Sequence, residues 1–156
     1  SGKIKRVPMR EQSPLVTLRE LAQTAAEQAA VQLAQVRQSH QQMEQQLNML
    51  IGYQDEYRVR LNQTLNVGGM SSASWQNYQQ FLKTLELTIE QHKQQLRHWQ
   101  AQLDLATEHW REKQQRLNAF ETLEQRAEDS RKRQLDRIEQ KQMDEYAQRS
   151  TLRRTT

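Results

Sequence analysis

The chain contains no cysteine, only two prolines and four glycines, and 6% aromatic residues. The absence of cysteine excludes disulfide scaffolds, cysteine metal sites and thiol chemistry, and it fits a reducing compartment. No run of about 18 apolar residues is present, so no transmembrane helix is expected. Hydrophobic residues make up 35% of the chain and the mean hydropathy is −1.08. This is too little apolar surface for a compact globular core, so the chain is either disordered or an extended helical structure with a narrow apolar stripe.

Positive charge is concentrated at the start of the chain. Four of the 23 basic residues lie among the first ten positions, where there is no acid, and the remaining 19 basic residues balance 19 acidic ones. We therefore predict a disordered basic tail over residues 1–13 and an electrically balanced body. A basic tail can contact phosphate. Elsewhere, however, the aromatic residues follow the apolar stripe instead of interleaving with charge, so we expect no nucleic-acid partner.

Proline and glycine divide the rest of the chain into two long segments. Ser13-Pro14 is a strong helix start, with Ser as N-cap and Pro in the first turn. Beyond it, the one convincing break is Gly68-Gly69, followed by serines that can cap a second helix. We predict helix one over about 14–65, a loop over about 66–72, helix two over about 73–146 and a frayed tail over 147–156. Residues 14–150 form a single domain on this interpretation.

Apolar residues recur at alternating steps of three and four, which is the pattern of a coiled-coil seam. In helix two the predicted seam positions are Trp75, Tyr78, Leu82, Leu85, Ile89, His92, Leu96, Trp99, Leu103, Ala106, Trp110, Lys113, Leu117, Phe120, Glu124 and Ala127. In helix one they are Leu15, Leu18, Ala22, Ala25 and Ala29, then, after an extra step of four that indicates a stutter, Leu33, Val36, His40, Met43, Leu47 and Leu50. Beyond Leu50 the seam runs either through Gln54 and Tyr57 or through Ile51 and Leu61.

A short loop makes the two helices antiparallel. The fold class predicted is therefore all-α, a long two-helix antiparallel coiled-coil hairpin with helices of unequal length. Folding back at about residue 69 pairs positions whose numbers add up to about 138. Helix two then extends beyond the start of helix one from about Ala127 onward.

No constellation of residues predicts catalysis. The four histidines, His40, His92, His98 and His109, lack zinc-ligand spacing, and there is no glycine-rich phosphate loop. A two-helix hairpin also lacks a cavity that excludes water. We expect the chain not to be an enzyme and to need no metal and no cofactor.

Several short segments resemble the flagellar export protein FliJ family. They are residues 47–57 (Leu-Asn-Met-Leu-Ile-Gly-Tyr-Gln-Asp-Glu-Tyr), 75–81 (Trp-Gln-Asn-Tyr-Gln-Gln-Phe), 110–117 (Trp-Arg-Glu-Lys-Gln-Gln-Arg-Leu) and 142–149 (Gln-Met-Asp-Glu-Tyr-Ala-Gln-Arg). The resemblance covers roughly residues 15–150 and includes residues outside the seam, such as Asn77 and Glu112.

This resemblance implies a component of the bacterial flagellar type III protein export apparatus. Proteins of the family are antiparallel coiled coils similar to the central stalk of rotary ATPases. The implied partners are the hexameric flagellar export ATPase, the cytoplasmic part of the membrane export gate and export chaperones. The implied location is the cytoplasm, peripheral to the inner membrane at the flagellar base, without direct membrane insertion.

The resemblance also implies a set of gate-binding residues and an end of the hairpin that enters the ATPase ring, for which we predict the contact residues. The export-gate set is Gln46, Leu50, Tyr53, Tyr57, Phe81, Leu85, Thr88 and His92. The set expected at the ATPase ring is Leu123, Arg126, Arg131 and Arg133. Two alternatives stay open at this point: the corresponding stalk of a virulence type III secretion system, and a passive coiled-coil spacer with no role in ATP hydrolysis.

Overall fold

The fold is taken from a computed structural model, which describes residues 13–155. Two helices make up nearly all of this range: α1, Pro14–Val67, has 54 residues, and α2, Ser72–Thr155, has 84. No strand occurs in the described range. The prediction of an all-α fold built from two long helices of unequal length is confirmed. Apart from Ser13, the predicted basic tail lies outside the described residues.

Serine side chains start both helices. The Ser13 hydroxyl accepts a hydrogen bond from the Val16 backbone N–H at 3.2 Å, and the Ser71 hydroxyl accepts one from the Ser74 N–H at 3.2 Å. Each bond satisfies one of the donors that a first helical turn leaves unpaired. Between the helices, Gly69 has a φ of 74°, a left-handed conformation that favours glycine.

α2 is longer than the sequence pattern predicted. It continues to Thr155 instead of ending at about residue 146 with a frayed tail. No glycine or proline interrupts this stretch, and Arg153 and Arg154 lie in the last turn, where positive charge is favourable to the helix dipole. The Thr151 hydroxyl also donates to the Ala147 carbonyl oxygen at 2.9 Å.

The described residues pack as two units, and the first, here called the terminal unit, comprises residues 13–26 and 112–155. Its core is small: Ala22, Ala26 and Leu117 are buried, and Phe120 packs against them. Two of the three buried residues are alanines, whose small side chains allow helix backbones to approach closely. Past this core, every residue of α2 from 131 to 149 is exposed.

The second unit, the loop unit, comprises Glu27–Arg111. Its core contains larger side chains: Leu47, Leu85 and Ile89 are buried and form one cluster. Further apolar residues pack against this cluster, namely Leu50, Ile51 and Leu96. The helices are antiparallel within the unit, because α1 from Leu47 to Tyr57 meets α2 in the reverse order, from Ile89 to Phe81.

The seam predicted on α2 agrees with burial over most of its length. All fourteen predicted positions from Tyr78 to Glu124 are buried or half-buried. The two outermost positions, Trp75 and Ala127, are exposed. Trp75 lies in the first turn after the loop, and Ala127 lies in the stretch where α1 begins, so each has little of the other helix to pack against.

The stutter predicted in α1 is wrong. Ala26 is only 3% exposed, whereas the predicted Ala25 is half-buried, and Arg19 is half-buried where Leu18 is exposed. With Arg19 and Ala26 in place, burial follows regular steps of three and four from Leu15 to Leu61. Beyond Leu50 both predicted alternatives contribute, since the stripe passes through Gln54, Tyr57 and Leu61 and Ile51 packs beside it.

Candidate protein-binding surfaces

An aromatic pair joins the two helices near the loop. The ring centroids of Tyr57 and Phe81 are 4.6 Å apart at an interplanar angle of 48°, a favourable tilted geometry. The Arg60 guanidinium carbon lies 5.9 Å from the Tyr57 ring centroid, within cation–π range. Phe81 stays 44% exposed, and Tyr53, one turn before Tyr57, is 47% exposed. Aromatic surface is therefore accessible on both helices at one level of the loop unit.

The eight residues of the expected gate-binding set differ in accessibility. Gln46, Tyr53 and Phe81 are exposed. Four are half-buried: Leu50, Tyr57, Thr88 and His92. Leu85 is 9% exposed and belongs to the core cluster with Leu47 and Ile89. Leu85 therefore packs in the core beneath this surface and has almost no area that a partner could contact.

Threonine hydroxyls on α2 are bonded within the helix. Thr84 donates to the Gln80 carbonyl oxygen and Thr88 to the Thr84 carbonyl oxygen, each at 3.0 Å. His92 Nδ1 lies 3.0 Å from the Thr88 carbonyl oxygen, so that nitrogen carries the hydrogen. The hydroxyl hydrogens of Thr84 and Thr88 are therefore already used within the helix.

Charge is distributed unequally on the two sides of the loop-unit seam. An α-helix advances about 100° per residue, so residues seven apart share a face. One side, here called the uncharged flank, carries no charged residue from position 39 to position 53 of α1 or from position 77 to position 102 of α2. It holds Ser39, Gln42, Gln46, Met49 and Tyr53 of α1 and Asn77, Phe81, Thr84, Thr88, Gln91, Gln95, His98 and Gln102 of α2. Nearer the loop, Glu56 and Arg60 of α1 lie on the same face and are charged. The other side holds Glu44, Asp55 and Arg58 of α1 and Lys83, Glu86, Glu90, Lys93, Arg97 and Asp104 of α2. The Tyr57–Phe81 contact lies at the loop end of this flank, where Arg60 is the neighbouring cation.

The residues expected at the ATPase ring lie on two different faces of the terminal unit. Leu123, Arg126 and Arg133 follow one stripe of α2 and are exposed. Arg131 instead lies seven residues after Glu124, on the seam side, where its guanidinium contacts the Glu128 carboxylate. A groove of about 660 Å³ opens there, lined by Ser13, Leu15, Val16, Glu121, Glu124, Gln125, Ala127, Glu128 and Arg131.

One ion pair crosses the terminal unit. Arg19 Nε donates to Glu124 Oε2 at 3.1 Å, and the side chains are 26% and 28% exposed. An Arg19 amino group also donates to Gln23 Oε1 at 2.7 Å. This pair occupies a seam position on each helix, so a polar contact stands where the pattern would place two apolar side chains.

Neither a metal cluster nor a membrane span is found in the described part of the chain. Over residues 13–155 there is no group of three or more His, Cys, Asp or Glu side chains arranged to hold a metal ion. Neither α1 nor α2 has a window apolar enough to cross a lipid bilayer.

Comparison with known proteins identifies the family. The sequence profile described as Flagellar FliJ protein matches residues 11–156. The Flagellar FliJ protein of Escherichia coli (strain K12) is 47% identical over 146 residues, which cover 94% of this chain and 99% of that protein. The Flagellar FliJ protein of Salmonella typhi is 46% identical over the same shares of both chains. The chain belongs to the flagellar FliJ family.

Sequence reasoning about this FliJ family member missed two features of the surface. The uncharged flank was not recognised, although sorting the residues beside each seam position by charge would have found it. The Arg19–Glu124 pair was also missed, because Arg19 interrupts an alanine-rich stripe and Leu18 offered an apolar residue one position earlier. An unbroken repeat of three and four extended back from Leu33 would have placed Arg19 on the seam, whereas hydrophobicity alone favours Leu18.

Proposed function

We propose that the chain is a component of the flagellar type III protein export apparatus that acts as a stalk-like binding protein. In this role it binds the hexameric export ATPase, promotes its assembly and activity, contacts the cytoplasmic part of the membrane export gate, and handles export chaperones. It acts in the cytoplasm, peripheral to the inner membrane at the flagellar base. Family membership supports the flagellar assignment, and the two exposed surface types described above support a binding role.

The observation that carries the gate contact is the exposed aromatic surface on the uncharged flank. Tyr53 and Phe81 are among the most exposed aromatic residues of the loop unit, and Tyr57 connects them. Aromatic residues with few surrounding charges are typical of the central part of a protein–protein interface. Gln46, Leu50, Thr88 and His92 extend this surface along both helices, and Leu85 supports it from the core.

Contact with the ATPase is assigned to the terminal unit. There, Leu123, Arg126 and Arg133 form an exposed stripe that combines one apolar residue with two guanidinium groups. Arginine is favoured at protein interfaces because its planar group makes several hydrogen bonds at once. Arg131 contributes from the adjacent groove, where it already contacts Glu128. Hydrolysis of ATP belongs entirely to the partner, so this chain acts as activator and not as enzyme.

ATPase titration tests this proposal. The rate of the purified hexameric export ATPase is measured with increasing amounts of the wild-type chain and of a variant with Arg126→Glu and Arg133→Glu. We expect the wild type to stimulate hydrolysis and the charge reversal to reduce that stimulation. A matched control reverses Arg97 and Arg111, which are also exposed but lie in the loop unit. Equal stimulation by all three proteins would remove the arginine stripe from the mechanism.

A second measurement separates the two surfaces. Tyr57→Ala and Phe81→Ala should weaken binding to the cytoplasmic fragment of the export gate while leaving ATPase stimulation intact. A passive coiled-coil spacer, the competing function, predicts that the wild-type chain leaves the ATPase rate unchanged. A virulence secretion stalk predicts that the chain prefers an ATPase from that system over the flagellar one in the same titration.

A further inference from the structure

The end of the loop unit where the chain reverses direction carries no charge. No Asp, Glu, Lys or Arg occurs between Arg60 and Lys83, which is the longest such stretch of the chain. Its central part, residues 64–75, is here called the loop tip. Three of its apolar side chains are exposed: Leu65 at 42%, Val67 at 87% and Trp75 at 39%. Val67 is the most exposed large hydrophobic residue that the structure describes, so the loop tip has apolar surface that neither helix covers.

We propose that the loop tip binds the surface of a lipid bilayer that contains anionic lipids, with Val67 and Trp75 at the level of the headgroups. The contact is shallow and does not span the membrane. It goes beyond the proposed function, because it requires neither the export gate nor the ATPase. It also differs from the expectation, drawn from the sequence, that the chain makes no direct membrane insertion.

The order of charges behind the loop tip matches an anionic surface. Along each helix, the first charged residue after the tip is a cation, Arg60 in α1 and Lys83 in α2. Arg58 follows in α1, whereas the first acid of that helix, Glu56, lies farther from the loop. Arg60 is about 10 Å and Arg58 about 13 Å from Val67 along the helix axis. Because a long cationic side chain can extend along apolar surface toward a phosphate, both arginines suit lipid phosphates while the tip contacts the layer beneath them.

The helix ends in the loop tip favour a shallow depth. α1 ends at Val67 and α2 begins at Ser72, so the tip contains the last carbonyl groups of one helix and the first N–H groups of the other. Most groups of this kind have no partner within their own helix and bind water or another polar ligand. Polar ligands are available among lipid headgroups and absent from the hydrocarbon core. Tryptophan is enriched at that same boundary between lipid and water, which suits Trp75.

Two exposed valines of α1 provide a matched test. Val67 lies in the loop tip, whereas Val31, which is 58% exposed, lies in the same unit at about 54 Å along the helix from it. The tip variant is Val67→Asp and the control variant is Val31→Asp. Both replace an exposed valine by a carboxylate. Circular dichroism and the melting temperature check that both variants fold as the wild type does.

Binding to vesicles of phosphatidylcholine and phosphatidylglycerol is then measured by co-sedimentation with the full chain. We expect the tip variant to lose about fivefold or more in partition coefficient, because a carboxylate replaces apolar surface against an anionic layer. The control variant should stay within about twofold of wild type. If all three proteins bind alike, another part of the chain, such as the basic residues before Ser13, holds the vesicles and the proposal is wrong. It is equally wrong if the wild type does not bind.

A second pair of variants tests the cations behind the loop tip. Arg58→Gln with Arg60→Gln should reduce binding to the same vesicles by about tenfold or more. The control, Arg37→Gln with Arg97→Gln, removes the same net charge from exposed positions farther from the loop and should have a much smaller effect. Equal losses in the two double variants would mean that only net charge matters, which would overturn the orientation proposed here.

The native tryptophan of the loop tip reports where the lipid binds. A variant with Trp99→Phe and Trp110→Phe retains only Trp75, and a control with Trp75→Phe and Trp110→Phe retains only Trp99. On addition of vesicles, the emission of Trp75 should shift to shorter wavelength and be quenched by lipids with brominated acyl chains. The emission of Trp99 should stay nearly unchanged. An unchanged Trp75 emission, or equal responses of the two tryptophans, would overturn the proposal.

The lipid contact is separable from the proposed gate contact. Phe81→Ala lies outside the loop tip and should leave vesicle binding within about twofold of wild type, even where it weakens binding to the gate fragment. If Phe81→Ala instead abolishes vesicle binding, the lipid surface is not the loop tip. If Val67→Asp weakens binding to the gate fragment and leaves vesicle binding unchanged, the loop tip is a protein-binding surface and the lipid proposal is wrong.

Discussion

The loop unit and the terminal unit use the same helix pairing with different side chains. In the loop unit the buried cluster consists of Leu47, Leu85 and Ile89, whereas in the terminal unit it consists of two alanines, Ala22 and Ala26, with Leu117. Large side chains bury more apolar area, so the loop unit gains more hydrophobic stabilisation per turn. The same regular seam pattern therefore supports two kinds of core, one built mainly from large aliphatic side chains and one built mainly from alanines.

The two units also differ in the side chains that they expose on their surfaces. The loop unit carries aromatic and amide side chains on one side and charges on the other. The terminal unit presents exposed arginines and a stretch of α2 with no buried residue between positions 131 and 149. A well-filled core suits a surface that must hold a fixed shape. A lightly packed end suits a segment whose stability depends on a partner.

The largest effect that tests this comparison is expected in the loop-unit core. Ile89→Ala removes most of a side chain that is 5% exposed, and it should cost about 2–4 kcal/mol of unfolding free energy. Leu87→Ala, two residues earlier and 61% exposed, is the control and should change stability by less than about 0.5 kcal/mol. Urea unfolding followed by circular dichroism measures both. Similar losses of unfolding free energy for the two variants would contradict a core stabilised mainly by large buried side chains.

In the alanine-rich core of the terminal unit, we expect a larger side chain, and not a smaller one, to be destabilising. Ala26→Leu adds volume where the backbones meet, and we expect it to destabilise the chain by about 1–3 kcal/mol through overpacking. Ala30→Leu places the same side chain on an exposed position of α1 and should be nearly neutral. The same unfolding experiment applies. A stabilised Ala26→Leu protein would show that the alanines leave unfilled space.

A smaller effect, of opposite sign, is expected at Gly52. This residue lies inside α1, and a Cβ added there meets no atom within 4 Å. Because glycine costs about 0.5–1 kcal/mol relative to alanine in a helix interior, Gly52→Ala should stabilise the chain by about that amount. A rise in melting temperature measures it. An unchanged or lower value would mean that the loop unit uses the flexibility of this position.

The smallest effect is expected from the ion pair of the terminal unit. Arg19 and Glu124 are about one-quarter exposed, so solvent screens much of their attraction. A double-mutant cycle with Arg19→Gln and Glu124→Gln should give a coupling energy of about 0.5–1 kcal/mol, and less at high salt. A coupling energy several times larger would mean that this ion pair contributes more to the stability of the terminal unit than the burial of the alanines does.

The sequence predicted the architecture well because its strongest signals are local and redundant. Ser13-Pro14, the glycine pair and a seam repeated over many heptads each point to two antiparallel helices. The failures occur where neighbouring residues are chemically alike or where the signal is weak. Ala25 and Ala26 are equally apolar, so hydrophobicity alone does not distinguish them, although an unbroken repeat extended back from Leu33 favours Ala26. Nothing in α2 after position 146 marks an end, because the chain there lacks glycine and proline.

The candidate surfaces were only partly predictable. The resemblance identified Tyr53, Tyr57 and Phe81, which the structure places at one level of the loop unit. It also included Leu85, which is buried, as the spacing of three and four predicted when it placed Leu85 on the seam. Arg131 was placed in one set with Arg126 and Arg133, whereas its guanidinium contacts Glu128 on another face of α2.

The two loop glycines have different tolerances because only Gly69 has a left-handed φ. A Cβ added at either glycine would meet no other atom within 4 Å. The effect of a substitution there is therefore decided by the backbone φ and the chirality of the new residue, and not by space. An L-alanine fits the backbone at position 68 but strains it at position 69, while a D-alanine at position 69 adopts the same dihedral without strain. Chemical synthesis could therefore fix the reversal of chain direction with one mirror-image residue, and the rest of the chain would remain as it is.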